Sequence, residues 1–247
     1  MTSQWKYAAA GGLGGAALAL ILVVLVSAFG LLPMNGKSIH DYLLANPQVM
    51  VEMMAKLQAQ DAADQLHEKQ VAIDKVGTKA FLNPRVAFVT GPANAKTTVV
   101  EVFDYNCPYC RASIPAVQKF YQAHKNDTRF AFIEYPFKGP ESVTASRAAI
   151  AVAHTQPSKY MAFHFLLMNE KFVTSDDIVY ADAKKVGLDV DKLKADMNDS
   201  SVDLQIAAAH TLAQAAKIDS TPTFILNGKV REGTIDEKTL KAMTSPS

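Results

Sequence analysis

The sequence predicts an α/β domain with an inserted helical block, preceded by an apolar segment and a helical linker. Three observations predict it. Residues 98–104, β-branched and mostly apolar, lead directly into helix-forming residues 112–124 and then into a second apolar run, 129–135, which is the order of a strand–helix–strand unit. Residues 141–217 are helical in character and carry no strand signal. The run Thr223-Phe224-Ile225-Leu226 then meets Asn227-Gly228, a tight hairpin signal, before Lys229-Val230-Arg231.

Taken from the amino terminus, a tail at 1–6 precedes residues 7–33, which carry no charge and centre on an Ala/Leu/Val run. An apolar stretch of more than about 20 residues can span a bilayer, so 7–33 is expected to be a transmembrane anchor. The alternative is a signal peptide cleaved after Val26-Ser27-Ala28. Lys6 and Lys37 flank the segment and give little charge bias, but the short tail favours amino terminus in, bulk of the chain out. The expected location is therefore a single-pass inner-membrane protein with its catalytic domain in the periplasm, or a protein secreted to the periplasm after cleavage.

Residues 36–82 read as a helical linker. Ser38 with Asp41 has capping-box spacing, and Asn46-Pro47 marks a second helix start. From Gln48 to about Val76 there is no Gly or Pro. Met50, Met53, Met54 and Leu57 form one apolar stripe, and Ala62, Leu66 and Ile73 a weaker one, but no heptad persists across both. The plain expectation is a helix packed on its own domain; a homo-oligomer formed through this segment is the other. Residues 83–247 form the main domain. Within it, Arg85-Val86-Ala87-Phe88-Val89 reads as a short strand, residues 91–94 as a turn, and 235–243 as the last helix. Breaks in the helical block are expected at Gln156-Pro157, Asp176-Asp177, Gly187 and Asn198-Asp199.

Charge excludes one class of function. With 25 basic and 24 acidic residues there is no electrostatic footprint for nucleic acid. Cysteine usage excludes another. The 2 cysteines, Cys107 and Cys110, are too few and too close for a disulfide framework. They are a redox couple, half a metal site or an incidental disulfide. Structural zinc needs four ligands, and neither a second cysteine pair nor two histidines at ligand spacing is present among the 6 histidines, which read as helix-face residues. No metal and no cofactor is expected beyond the redox-active pair itself.

A cysteine where a strand feeds a helix sits by unpaired backbone N–H groups and the positive end of the helix dipole, and both favour the thiolate. Cys107 at that junction is expected to be the exposed nucleophile. Cys110, one turn inside, is expected to be shielded and to resolve the mixed disulfide. Pro108 fits the first helical position without needing a donor, and Tyr109 occupies the remaining variable position.

The run Val99-Val100-Glu101-Val102-Phe103-Asp104-Tyr105-Asn106-Cys107-Pro108-Tyr109-Cys110, with residues 141–217 and Ser220-Thr221-Pro222-Thr223, resembles the DsbA-like thiol:disulfide oxidoreductases. The resemblance covers roughly 83 to the carboxyl terminus. It implies a thioredoxin fold with a helical domain inserted before the last hairpin. It also implies that Cys107 and Cys110 are catalytic, that Pro222 is a cis-proline facing them, and that Thr221 offers backbone contacts to substrate. Glu101 matches a buried acidic residue that assists proton transfer in that family; a carboxyl between Val100 and Val102 in a central strand should have a raised pKa if buried. Two departures matter. Pro-Tyr replaces the Pro-His of the best-known oxidases, which points to a less extreme oxidant. Pro-Tyr with Thr before the proline also resembles the isomerase branch and the ScsC-like proteins. Disulfide formation in exported proteins, with reoxidation by a DsbB-like membrane partner, is the first expectation. An isomerase or reductase kept reduced by a DsbD-like partner is its close rival. A non-catalytic module holding copper(I) or a protein partner is the rival from another class.

Overall fold

The computed structural model describes residues 36–173 and 175–245. The expected anchor at 7–33 and its tail lie outside the described residues. Among the described residues, no helix is long and apolar enough to cross a membrane. The chain divides into two compact units, Met1–Ala62 and Ala63–Ser247.

In the first unit, helix α1 (Gly36–Ala45) has no buried residue, and α2 (Gln48–Val76) begins. Two capping expectations are corrected here. Helix α1 starts at Gly36, so Ser38 lies inside it. Asn46 turns its amide back to the Tyr42 carbonyl at 2.8 Å and closes α1 instead of capping α2. The stripe of Met50, Met53, Met54 and Leu57, expected to pack on the domain, is exposed.

In the second unit, the end of α2 buries Lys69 and Ile73, and the short α3 (Thr78–Phe81) follows. The first strand, β1 (Phe88–Thr90), starts later than its composition indicated. Val86 and Ala87 donate their N–H groups to the Asn83 carbonyl at 2.9 and 3.1 Å, so a turn uses the donors that a strand would need. Then come β2 (Thr97–Phe103), α4 (Pro108–His124) and β3 (Thr128–Glu134). The inserted block is helical throughout: α5 (Pro140–Thr155), α6 (Pro157–Asn169), α7 (Asp176–Lys185), α8 (Val190–Asp196) and α9 (Ser200–Ala215). Three of its breaks fall where the sequence placed them; the fourth comes earlier than Asp176-Asp177, which form the first turn of α7. Asp199 caps α9 by accepting from Ser201 N at 2.8 Å. Strands β4 (Thr223–Leu226) and β5 (Lys229–Glu232) form the hairpin, with Asn227 and Gly228 at φ 48 and 82. The last helix, α10 (Glu237–Thr244), starts after Asp236, which accepts from Thr239 N at 2.7 Å.

The sheet has the order β1-β3-β2-β4-β5, with β2 parallel to β3 and every other pairing antiparallel. Strand β2 is covered on both faces, which is why it reads as a nearly continuous apolar run rather than an alternating one. On one face Val99 and Phe103 pack with Ile114, Val117 and Phe120 of α4 and with α5 to α8. On the other, Val100 and Val102 pack with Ile73, Phe81, Ala209 and Ala213. Gly91, at φ 84, brings the loop after β1 against the Thr128 carbonyl with no room for a Cβ.

Candidate active site

Strand β2 ends at Phe103, and residues 104–106 carry the chain to Cys107, the N-cap of α4, at φ −76 and ψ 118. Pro108 occupies the first turn, and no side chain caps the helix. The early N–H groups of α4 are therefore left facing the sulfur.

Asp104 holds this junction in place. One carboxylate oxygen accepts from Asn106 N at 2.6 Å and Ser142 Oγ at 2.8 Å; the other accepts from Phe137 N at 2.8 Å and Lys138 N at 3.0 Å. The side chain is fully buried, and the Asp104 carbonyl accepts from Cys107 N at 3.1 Å. Asn106 ties the junction to the insertion, donating to Val173 O at 2.9 Å and accepting from Val173 N at 2.8 Å. Arg111, on the first turns of α4, donates to the carbonyls of Leu167 at 3.2 Å, Met168 at 3.0 Å and Glu170 at the end of α6.

The Thr221–Pro222 peptide is cis, and this loop lies on the cysteines. Cys107 Sγ donates to the Thr221 carbonyl at 3.2 Å. Both cysteines are free thiols. Cys107 is not the exposed group it was expected to be: it is 1% exposed, because a loop 114 residues further along the chain covers it. The exposed members of the motif are Pro108 and Tyr109, the latter at 64%. Cys110 is fully buried, as expected.

The two sulfurs are driven apart electrostatically. A hydrogen bond from Cys110 lowers the Cys107 pKa to about 5 against the opposing effect of burial, and Thr221 and the N–H groups of Cys110 and Tyr109 add to the lowering. Burial pushes Cys110 far up, and its hydrogen bond to Cys107 and the nearby Glu101 charge push the same way. An arrangement of this kind holds one ready thiolate and one reluctant thiol.

Glu101 lies on β2, opposite Phe132 and Phe224 of the neighbouring strands, at 1% exposure, and neither carboxyl oxygen has a hydrogen-bond partner. Burial alone pushes its pKa from 4.5 to about 8. The folded protein thus keeps a proton that the unfolded chain has lost. This contribution to stability is fully present below pH 4.5 and is lost as pH rises toward 8. Glu101→Gln, neutral at every pH, should melt higher than the parent at pH 8. Thermal denaturation is the check. A difference in melting temperature that does not narrow on acidification to about pH 4 would mean that Glu101 is ionised in the fold.

Several functional-site neighbours were not legible from spacing. Glu134 at the end of β3, 1% exposed, accepts from Tyr160 Oη at 2.8 Å and Tyr105 Oη at 3.3 Å, and Tyr105 Oη also lies 3.1 Å from His164 Nδ1. Burial raises Glu134 to about 8 against those hydrogen bonds, and burial lowers His164 to about 3. His164 is a helix residue, as read from the sequence, but it faces the core. It lies on α6 among Phe103, Tyr160 and Phe165, fully buried. The one available signal for it was the aromatic run Ala162-Phe163-His164-Phe165. Among the described residues, no three His, Cys, Asp or Glu side chains are grouped to hold a metal ion.

Comparison with known proteins matches residues 85–244 to a family model described as thioredoxin, and residues 36–64 to one described as the copper resistance protein ScsC N-terminal domain. A thioredoxin-like oxidoreductase from Silicibacter pomeroyi DSS-3 is 35% identical, with a TM-score of 0.61 over 68% of this chain and 95% of its own. A periplasmic thioredoxin-like protein from Salmonella enterica serovar Typhimurium is 27% identical, with a TM-score of 0.60 over 67% of this chain and 91% of its own. Disulfide bond formation protein D of Bacillus subtilis is 29% identical over 163 residues, 62% of this chain and 73% of that protein. The chain spans only 38% of the length of another curated relative, the Na(+)/H(+) antiporter NhaA of Herminiimonas arsenicoxydans, which is 26% identical over 239 residues and 95% of this chain.

Proposed function

We propose, for a chain that belongs to the thioredoxin family and is a DsbA-like thiol:disulfide oxidoreductase, that Cys107 and Cys110 are its redox couple and that it forms disulfides in exported proteins. One observation carries this reading: a sulfur of depressed pKa at the mouth of α4, against the carbonyl that precedes a cis-proline, with its partner sulfur held as a thiol behind it.

In the oxidised protein a substrate thiolate attacks Cys107 Sγ, forming a mixed disulfide as the Cys107–Cys110 bond breaks and the electron pair leaves on Cys110. Cys110 is a poor thiolate in this setting and takes a proton. Glu101, held protonated by burial, is the donor. A second substrate thiolate then attacks the substrate sulfur of the mixed disulfide, and Cys107 departs as the stabilised thiolate. The substrate gains a disulfide and the enzyme is left as a dithiol. A low leaving-group pKa speeds this last step and favours the reduced enzyme, so the pair acts as an oxidant. The Thr221 and Pro222 backbone lines the sulfur for an extended substrate chain, and Pro108 and the exposed Tyr109 form the adjoining surface. A DsbB-like membrane protein would restore the disulfide. Residues 7–33 would anchor the chain by a single pass, with the tail 1–6 in the cytoplasm and the domain in the periplasm, as the uncharged apolar run supports.

The ScsC-like match at 36–64 and the exposed stripe of Met50, Met53, Met54 and Leu57 favour a second reading, a self-associating isomerase or reductase kept reduced by a DsbD-like partner. The test is a trap. Cys110→Ser should accumulate mixed disulfides with exported proteins and Cys107→Ser should not; trapped species in neither variant would overturn the redox assignment. With wild type, recovery of scrambled ribonuclease exceeding oxidation of reduced ribonuclease, together with an oligomer in light scattering, would replace the oxidase reading by the second one.

A further inference from the structure

The family match begins at residue 85, yet a charged side chain ahead of it reaches the loop on Cys107. Lys69, on α2, is 4% exposed, an unusual burial for a lysine. Its ammonium donates to Asp219 Oδ1 at 2.8 Å and to Glu232 Oε1 on β5. The same Glu232 oxygen accepts from Ser220 Oγ at 2.5 Å. Ser220 precedes Thr221, whose carbonyl accepts from Cys107 Sγ at 3.2 Å. The loop is held at its other end by Gly233 N, which donates to the Pro222 carbonyl at 2.9 Å. Charge-assisted bonds thus run from Lys69 to Ser220, and the backbone carries the link on to Thr221 and its contact with the Cys107 sulfur. Bonds of this kind are stronger than neutral ones, and a buried ammonium stripped of its partners is costly, so the geometry is held firmly. Burial works against the charge on Lys69, but its bonds to Asp219 and Glu232 outweigh that, and the net direction is upward.

We propose that Lys69 is a positioning residue for the active site, fixing loop 219–222 against Cys107 through Asp219, Glu232 and Ser220. The Thr221 hydroxyl is buried and makes no hydrogen bond while Cys107 is a thiol; on ionisation of Cys107 it is the side-chain donor that lowers the midpoint, and only a seated loop presents it. A loosened loop withdraws that donor. The proposal rests on Cys107 being the reacting thiolate, and the test separates the two.

The measurement is the pH titration of thiolate absorbance in the reduced full chain. Lys69→Met should raise the Cys107 midpoint by about one pH unit. Ser220→Ala cuts the same link at the loop without touching α2, and should raise it in the same direction even where Lys69→Met proves too unstable to purify. Gln70→Ala is the control. Gln70 holds α2 to the hairpin, donating to Gly228 O at 2.8 Å and accepting from Val230 N at 2.9 Å, and makes no bond to the loop. It should leave the midpoint unchanged. Midpoints of Lys69→Met and Ser220→Ala that coincide with wild type would overturn the role of Lys69 alone, and so would an equal shift in Gln70→Ala. A wild-type midpoint near that of an ordinary thiol would overturn the redox assignment itself.

Discussion

At pH 6 the reduced protein's Cys107 should react with iodoacetamide about tenfold faster than an ordinary thiol equally shielded from the reagent. Two effects oppose each other here. A midpoint lowered from 9.0 to about 5 turns roughly one part in a thousand of thiolate into about nine-tenths, a gain of nearly three decades. Nucleophilicity falls with basicity at about 0.4–0.5 of a decade per pH unit, which removes roughly 1.8 decades over the same interval. Ionisation wins by about one decade. Burial under loop 219–222 slows the reagent at every pH alike, so the decisive feature is the midpoint of the rate–pH profile. That midpoint is expected near 5; a profile that rises only as pH approaches 9 would refute the thiolate assignment. Cys110 should not compete, because burial keeps it a thiol throughout.

Asp104→Ala is expected to destabilise the domain by about 4 kcal/mol, a larger effect than a surface carboxylate could have. The Asp104 carboxylate accepts three backbone N–H bonds and one hydroxyl bond in a site with no access to water. Alanine would remove the partner of all four donors, and each one left unpaired away from water costs about 1–3 kcal/mol before relaxation, with those of the exposed Phe137 and Lys138 at the low end. In a domain of this size the midpoint of thermal unfolding should fall on the order of 10 °C. A fall of under about 2 °C would mean that the junction does not depend on this side chain. Asp104→Asn is the graded comparison. It keeps an acceptor for two of the donors and turns an NH2 group toward the other two, so its loss should lie between alanine and wild type.

Where the signal was local, the sequence was enough. Hairpin chemistry at Asn227-Gly228 and the breaks at Pro157, Gly187 and Asn198-Asp199 each depend on the residue and its immediate neighbours. Glu101 is buried for a simple reason: a carboxyl flanked by apolar residues in a strand covered on both faces has nowhere wet to go. Local reasoning failed where a competing partner came from far away or from an unexpected side. Asn46 chose the Tyr42 carbonyl over the next helix, and Asn83 took the N–H groups expected to start β1. Asp104, Tyr105 and Asn106 lie in the motif that carried the resemblance, but nothing in their spacing tells which donors they meet.

By itself the sequence determined the order of strands and helices, the cysteine pair and its place at a strand-to-helix junction, since those follow from periodicity, turn chemistry and cysteine count. Only the tertiary structure decided that Cys107 is covered, that His164 and Glu134 share a buried network, and that Lys69 braces the loop above the sulfur. Burial and long-range hydrogen bonding are properties of surfaces brought together from distant parts of the chain, and no window of sequence contains both sides.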